Sequence, residues 1–432
     1  MNKKCKKAGF ASFVIFLLLF SSTPLVSSNS VQKLDLDTLN LDTLSKDKEI
    51  HLLRVEHYLE LLSEENVGIF NVKYAFPPEY FYQVPILLEI FNDTTADILN
   101  YKIENEKDML NKVVNFTISS IGKNEPKLIH FTVWVLVENH DFSDLPASKP
   151  FPNPLTLPDD VKTWLVETNV TQKDSILIKA TARVLKGFKD DLIIYAKRVA
   201  PYIKYHRFLL FLIELRFGLF FSQDARTTLL INGENVGRSH LSCALFRSQN
   251  VPARVLLVNN DQGFWTQMHY MIEYYVPDYG WVLLDTTKGE TPYDTKRQVI
   301  NRICFPEDEN NTKKDYIFRF MKGEERWIWI DNENVRPHYV DCNQSSKSQM
   351  FSEKVLSTCE LVADSCFDLT KITFAKYQQF LGLNLTGENK IYFENAVDFQ
   401  KSAINNFKND DILDYYYNIQ RASEEYDKIT GV

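Results

Sequence analysis

Asn250-Val251-Pro252-Ala253-Arg254-Val255, then His269-Tyr270-Met271-Ile272-Glu273, then Gly280-Trp281-Val282-Leu283-Leu284-Asp285-Thr286-Thr287: these three segments decide the fold. Pro252 cannot continue a helix, and strand-like runs follow it over 253–258, 268–275 and 281–284. Pro277-Asp278-Tyr279-Gly280 is turn chemistry and joins the last two runs as a hairpin. His269 begins one strand and Asp285 ends the next. Antiparallel register puts them on neighbouring strands but not directly opposite, so a bulge or a diagonal reach must close the gap. A carboxylate beside an imidazole fixes its tautomer and stabilises its charged form, the orienting half of a catalytic triad. Taken alone, the pair reads first as a surface histidine and a strand-end aspartate.

Just upstream, Gly233-Glu234-Asn235 leads into a helix that starts between Asn235 and Arg238 and runs to about Ser248. Before it the period is helical from about 158. Ile176, Ile178, Ala180, Val184 and Leu185 form an apolar stripe, and Leu192, Ile193, Ala196 and Val199 form another that stops near Pro201. Further upstream the period is two. Phe70, Val72, Tyr74 and Phe76 alternate with polar or small residues, as do Val114, Phe116 and Ile118, and Phe131, Val133 and Val135. That pattern predicts a β-sandwich over 48–146, bounded by the Pro-rich 146–154. Downstream, 301–345 reads as a short β extension with strand-like pieces at 316–320 and 327–330. Residues 346–432 read as a helical region ending in a helical hairpin split by Lys408-Asn409-Asp410.

The blocks of 220–290 resemble the transglutaminase-like superfamily. Its members show a Gly-x-Cys turn opening a helix, then Leu-Leu-Arg, Gly-Ile-Pro-Ala-Arg, a His-Ala-Trp strand and Gly-Trp-x-x-x-Asp-Pro-Thr. Ala244-Leu245-Phe246-Arg247 and Asn250-Val251-Pro252-Ala253-Arg254 match the middle, His269 with Glu273 the histidine strand, and Gly280 to Thr287 the aspartate segment. The resemblance implies an α+β, papain-like core over 158–300 and a Cys-His-Asp triad, with His269 and Asp285 as two members. The third position, twelve before Arg247, is Asn235, with Gly233 two before it and His240 five after. A carboxamide cannot attack a carbonyl as a thiolate does. Thr286 stands where the family has Pro, and Tyr270-Met271 where it has Ala-Trp. Cys243 lies in the same helix, about 12 Å further along its axis, and reads as a small core residue. His240 and Arg254 read as structural, Arg254 holding the sheet or an acidic partner. Trp265 and Trp281 line the cleft or fill it.

The N-terminus runs from Lys3, Lys4, Lys6 and Lys7 through apolar Phe10 to Phe20 to small residues, the order of a signal peptide over 1–28 cut after Ser28. Residues 29–47 are then a linker. The expectation is an exported protein: secreted, on the cell surface or periplasmic. No later segment is long and apolar enough to span a bilayer; 208–221 is too short and contains Glu214 and Arg216. The formal net charge is −8, and loss of the four lysines makes the rest more acidic, which excludes nucleic acid as a partner class. After Cys5, the remaining cysteines are Cys243, Cys304, Cys342, Cys359 and Cys366, of which the last four could make bridges. No paired CxxC spacing suggests zinc, and no cofactor is expected. Three functions fit: a non-catalytic binder of a polypeptide or cell-envelope ligand, an active thiol-dependent protease or protein-glutamine acyltransferase with another nucleophile, and a purely structural surface protein.

Overall fold

The computed structural model describes residues 45–107, 110–206, 210, 213, 216, 217, 222–231, 233–260, 267–310, 328–337 and 347–431. The signal peptide, most of the linker, Trp265, Cys342 and the strand-like piece at 316–320 lie outside the described residues. Six strands open the described chain: β1 (Lys48–Ser63), β2 (Phe70–Phe76), β3 (Gln83–Ile90), β4 (Ile98–Asn105), β5 (Lys112–Ile118) and β6 (Lys127–Glu138). Helices follow: α1 (Asp159–Lys162), α2 (Ile176–Lys186), α3 (Leu192–Tyr205), α4 (Ala225–Leu230) and α5 (Asn235–Arg247). Then come β7 (Ala253–Asn260), β8 (Gln267–Val276), β9 (Gly280–Leu284), β10 (Gln298–Ile303) and α6 (Pro306–Asn310). Strands β11 (Ile328–Ile330), β12 (Val335–Pro337) and β13 (Lys347–Thr358) precede α7 (Glu360–Phe380), α8 (Gly387–Lys408) and α9 (Ile412–Asp427).

Three antiparallel sheets result. The first has the order β12-β1-β6-β3, with β13 also on β1; the second is β11-β2-β5-β4; the third is β10-β7-β8-β9. The first two meet through aromatic side chains. Tyr74 of the second sheet packs at 4.8 Å between ring centroids from His57 of the first, and Phe116 at 5.3 Å from Phe131. Two side-chain amides tie the third sheet to the others by imitating a strand edge. Gln83 donates to Ile300 O and accepts from Ile300 N, both at 2.8 Å, and Asn111 treats Ile303 in the same way at 2.9 and 2.8 Å.

The strands of the hairpin and helix α5 form where the sequence places them. Four other expectations need correction. The core boundary at 300 falls inside β10, the fourth strand of the third sheet. The 301–345 segment is no separate extension, because β11 pairs with β2 and β12 with β1. The region from 346 opens as a strand, since β1 runs for sixteen residues and its edge is completed by β13. The backbone N–H and C=O groups of a buried strand need partners on both edges, a long-range requirement that no local period in 347–358 expresses. The α2 stripe is buried only at Ile178, which is joined by Ala182, whereas Ile176 and Val184 are 84% and 80% exposed. In α3, Leu192, Ile193, Ala196 and Val199 are buried as read, but the helix passes Pro201 and ends at Tyr205.

Cys243 is a buried core thiol, as read, whereas Cys359 and Cys366, expected as candidates for bridges, are free and buried; Cys304 is buried too. Cys359 caps α7 and Cys366 lies two turns along it, about 10 Å away in rise, beyond the span of a disulfide.

His57 sits in the seam between sheets. Its Nδ1 lies 3.2 Å from the Tyr74 hydroxyl and 3.0 Å from Ser348 Oγ, and its Nε2 has no partner. Burial pushes its pKa down from 6.5 to about 3. Between those values the unfolded chain binds a proton that the native chain does not. Stability is therefore full above about pH 6.5 and is lost as pH falls toward 3, by about 1.4 kcal/mol per pH unit from this group. Urea titrations between pH 6.5 and 4 should show this slope, and His57→Gln should flatten it by about one proton's worth; an unchanged slope would refute the assignment.

Candidate active site

Helix α5 is the centre of the third-sheet module: every residue from Val236 to Arg247 is buried. Its entry is packed tightly. A Cβ at Gly233 or Gly237 would come within 2.6 Å of the Thr228 hydroxyl oxygen, and at Gly237 within 2.6 Å of Gln223 Oε1. That is why small residues stand at both positions. Asp224 caps α4 by accepting from Thr227 N at 2.9 Å, and His240 Nδ1 lies 2.7 Å from Gln223 O. His240 thus braces the segment before α5 and does not join the histidine strand. At the far end of α5, Arg247 forms a fully buried, two-pronged ion pair with Glu309, both contacts at 2.8 Å.

Asn235 is the first residue of α5, and the structure brings it to His269 and Asp285. Asn235 Nδ2 lies 3.3 Å from His269 Nδ1, and His269 Nε2 lies 3.2 Å from Asp285 Oδ1. The hairpin register explains the second contact. Ile272 pairs with Leu284, so Thr287 would stand opposite His269, and Asp285 reaches it diagonally from the same face. Asp285 Oδ1 also accepts from the backbone N–H of Thr287 at 2.8 Å and of Lys288 at 3.0 Å. Burial alone would push the Asp285 carboxyl up, but the hydrogen bond and charge of His269, with those two N–H donors, hold it below the usual carboxylate range.

The amide of Asn235 is held on both sides. Thr287 Oγ1 donates to Asn235 Oδ1 at 2.8 Å, and the Asn235 NH2 donates toward His269 Nδ1. With Nε2–H given to Asp285, Nδ1 carries the lone pair, so one tautomer satisfies the whole chain Thr287–Asn235–His269–Asp285. Chemically the arrangement orients an imidazole but offers it a weakly acidic amide in place of a thiol or hydroxyl. Thr287 was legible only as a motif residue; its grip on Asn235 is a tertiary contact.

The neighbouring residues are structural. Arg254 pairs with Glu273 at 2.9 Å, and its guanidinium lies 3.9 Å from the Trp281 ring centroid and 4.7 Å from that of Trp164. Trp281 therefore packs on Arg254 and fills the core edge. Cys243 is fully buried, and burial pushes its thiol far up, only partly offset by Arg247, so it is not a source of thiolate. Among the described residues no cluster of His, Cys, Asp and Glu could hold a metal ion, and no helix is long and apolar enough to cross a membrane.

A comparison of the sequence with curated proteins finds no match. Among solved structures, a candidate cysteine protease from Cytophaga hutchinsonii aligns with 70% of this chain and 98% of its own, at 13% identity and a TM-score of 0.47. A candidate protease from Parabacteroides distasonis aligns with 52% of this chain and 42% of its own, at 14% identity and a TM-score of 0.21. The segment that carries Asn235, His269 and Asp285, residues 219–286, matches the transglutaminase-like superfamily.

Proposed function

We propose that this chain is an exported, catalytically silent transglutaminase-like protein. In this reading Asn235 occupies the nucleophile position, and the former active-site cleft binds a polypeptide or cell-envelope ligand. The observation that carries the reading is the closed hydrogen-bond chain. The atom that would need to be a thiol is an amide nitrogen, and its oxygen is already engaged by Thr287. The two sheets built mainly from 48–138 serve as an accessory β-sandwich, and the Lys-rich, apolar start of the sequence serves as the export signal.

The purified protein should show no transamidation, deamidation or peptidase turnover that iodoacetamide abolishes. Loss of a triad nucleophile alone costs on the order of a million-fold in rate. Turnover on glutamine-containing or amide substrates that disappears in Cys243→Ala would overturn the reading in favour of an active thiol-dependent protease or acyltransferase.

A further inference from the structure

Helix α2 carries two apolar faces, and only one is covered. Ile178 and Ala182 are buried. On the opposite side Ile176, Leu177, Ala180 and Val184 are exposed, and at about 3.6 residues per turn they share an arc of about 100°. Phe188, just past the helix end, is fully exposed as well. Single exposed apolar residues are ordinary, but an arc of them marks a contact surface. The helix that displays it is tied down from α3, where Arg198 donates through Nη1 to Leu185 O at 3.0 Å and to Lys186 O at 2.9 Å.

The charges of α2 are as one-sided as its apolar residues. Lys179, Arg183 and Lys186 follow one another at one turn's spacing, along the flank beside the exposed arc. Lys173 precedes the helix and Lys189 follows it. Residues 173–190 hold five cations against two acids, in a chain whose formal net charge is −8. The acids, Asp174 and Asp190, pair with Lys179 at 2.7 Å and with Lys186 at 3.0 Å, which leaves Lys173, Arg183 and Lys189 without an ion pair among the described residues. A second copy docked about a two-fold axis on this face would set these cations against their own kind. An anionic partner meets them with the opposite sign. The arc belongs to one helix and the residue past it, the geometry of a helix lying in an interface plane and not of a groove walled by two elements. We propose that α2 is an interfacial helix that docks this chain on an anionic lipid surface. Ile176, Leu177, Val184 and Phe188 enter the headgroup boundary, and Lys173, Arg183 and Lys189 meet lipid phosphate. None of Asn235, His269 and Asp285 lies on α2, so this surface is independent of the cleft reading.

The test is flotation of the purified protein with two kinds of vesicle, phosphatidylcholine alone and phosphatidylcholine with about 30% phosphatidylglycerol, joined to hydrogen exchange on both samples. Binding to the anionic vesicles should be at least about tenfold stronger and should weaken as salt is raised. The amides of 176–188 should gain protection only in the anionic sample. Val184→Ser with Phe188→Ser should lower the bound fraction at least about fivefold, and Arg183→Gln with Lys189→Gln should lower the preference for anionic lipid at least about threefold. All four side chains are exposed, so thermal midpoints should stay near the parent's. The proposal is overturned if the protein stays unbound to anionic vesicles at about 1 mM lipid, if the paired serine variant binds as well as the parent, or if the protection falls elsewhere on the chain. A dimer in sedimentation velocity without lipid, dissolved by the serine variant, would overturn it in favour of a second copy. Protection of 176–188 by poly-glutamate but not by vesicles would overturn it in favour of an acidic polypeptide.

Discussion

Arg247→Met should lower the stability of the protein by about 3–5 kcal/mol, enough to shift its urea midpoint strongly or to prevent folding. The reason is what the change leaves behind. Glu309 is fully buried, and its carboxylate is held ionised against the burial penalty by Arg247, with the Thr168 hydroxyl donating a further bond at 2.7 Å. Without the guanidinium, that charge has no compensation. Arg247 also donates through Nε to Ala253 O at 2.8 Å and through Nη1 to Val166 O at 3.2 Å, so it ties α5, the start of β7 and the segment after α1 to α6. Glu309→Gln should cost a similar amount from the other side. The double change Arg247→Met with Glu309→Leu should recover at least half of the loss, because an apolar pair removes both buried charges together. A single-change cost below about 1 kcal/mol would show that the pair does not anchor the helix.

The same contact shows how far the sequence could be read. Arg247 was visible as the last residue of a motif, but nothing in 241–254 points to Glu309, which lies 62 residues on in a five-residue helix. Short-range pattern carried the hairpin well: Pro252, the 277–280 turn and the alternation around them set β7, β8 and β9 within two residues. Register arithmetic likewise anticipated that His269 and Asp285 are neighbours but not opposites, and a diagonal contact closes the gap. The sheet partners β11, β12 and β13 were not legible as such, because their pairing is with strands more than two hundred residues away, and β11 and β12 are only three residues each. The α2 stripe misled for a related reason. A helical period says that a face is apolar, not which neighbour it meets; α2 packs on α3 and α5 with Ile178 and Ala182 buried, while Ile176 and Val184 are exposed.

The central claim is that Asn235 stands where a nucleophile would be activated, and Asn235→Cys tests it most directly. A thiol at that position would sit at the start of a thirteen-residue helix, with the His269 ring nitrogen within hydrogen-bond reach. Both features favour thiolate, so its titration should fall below about 7 in place of the ordinary value near 8.5. A lower pKa also weakens the intrinsic nucleophilicity, so the advantage is clearest in mild acid. At pH 6 carbamidomethylation by iodoacetamide should run on the order of tenfold faster than for an ordinary exposed thiol. The four described native thiols are buried, and peptide mapping resolves the label at residue 235 from any other. Adding His269→Ala to Asn235→Cys should return the titration to the ordinary range. The decisive measurement is therefore the pH profile of alkylation at residue 235 of Asn235→Cys: a midpoint below about 7 that moves up on His269→Ala is the predicted result, and a midpoint near 8.5, indifferent to His269, would contradict the account.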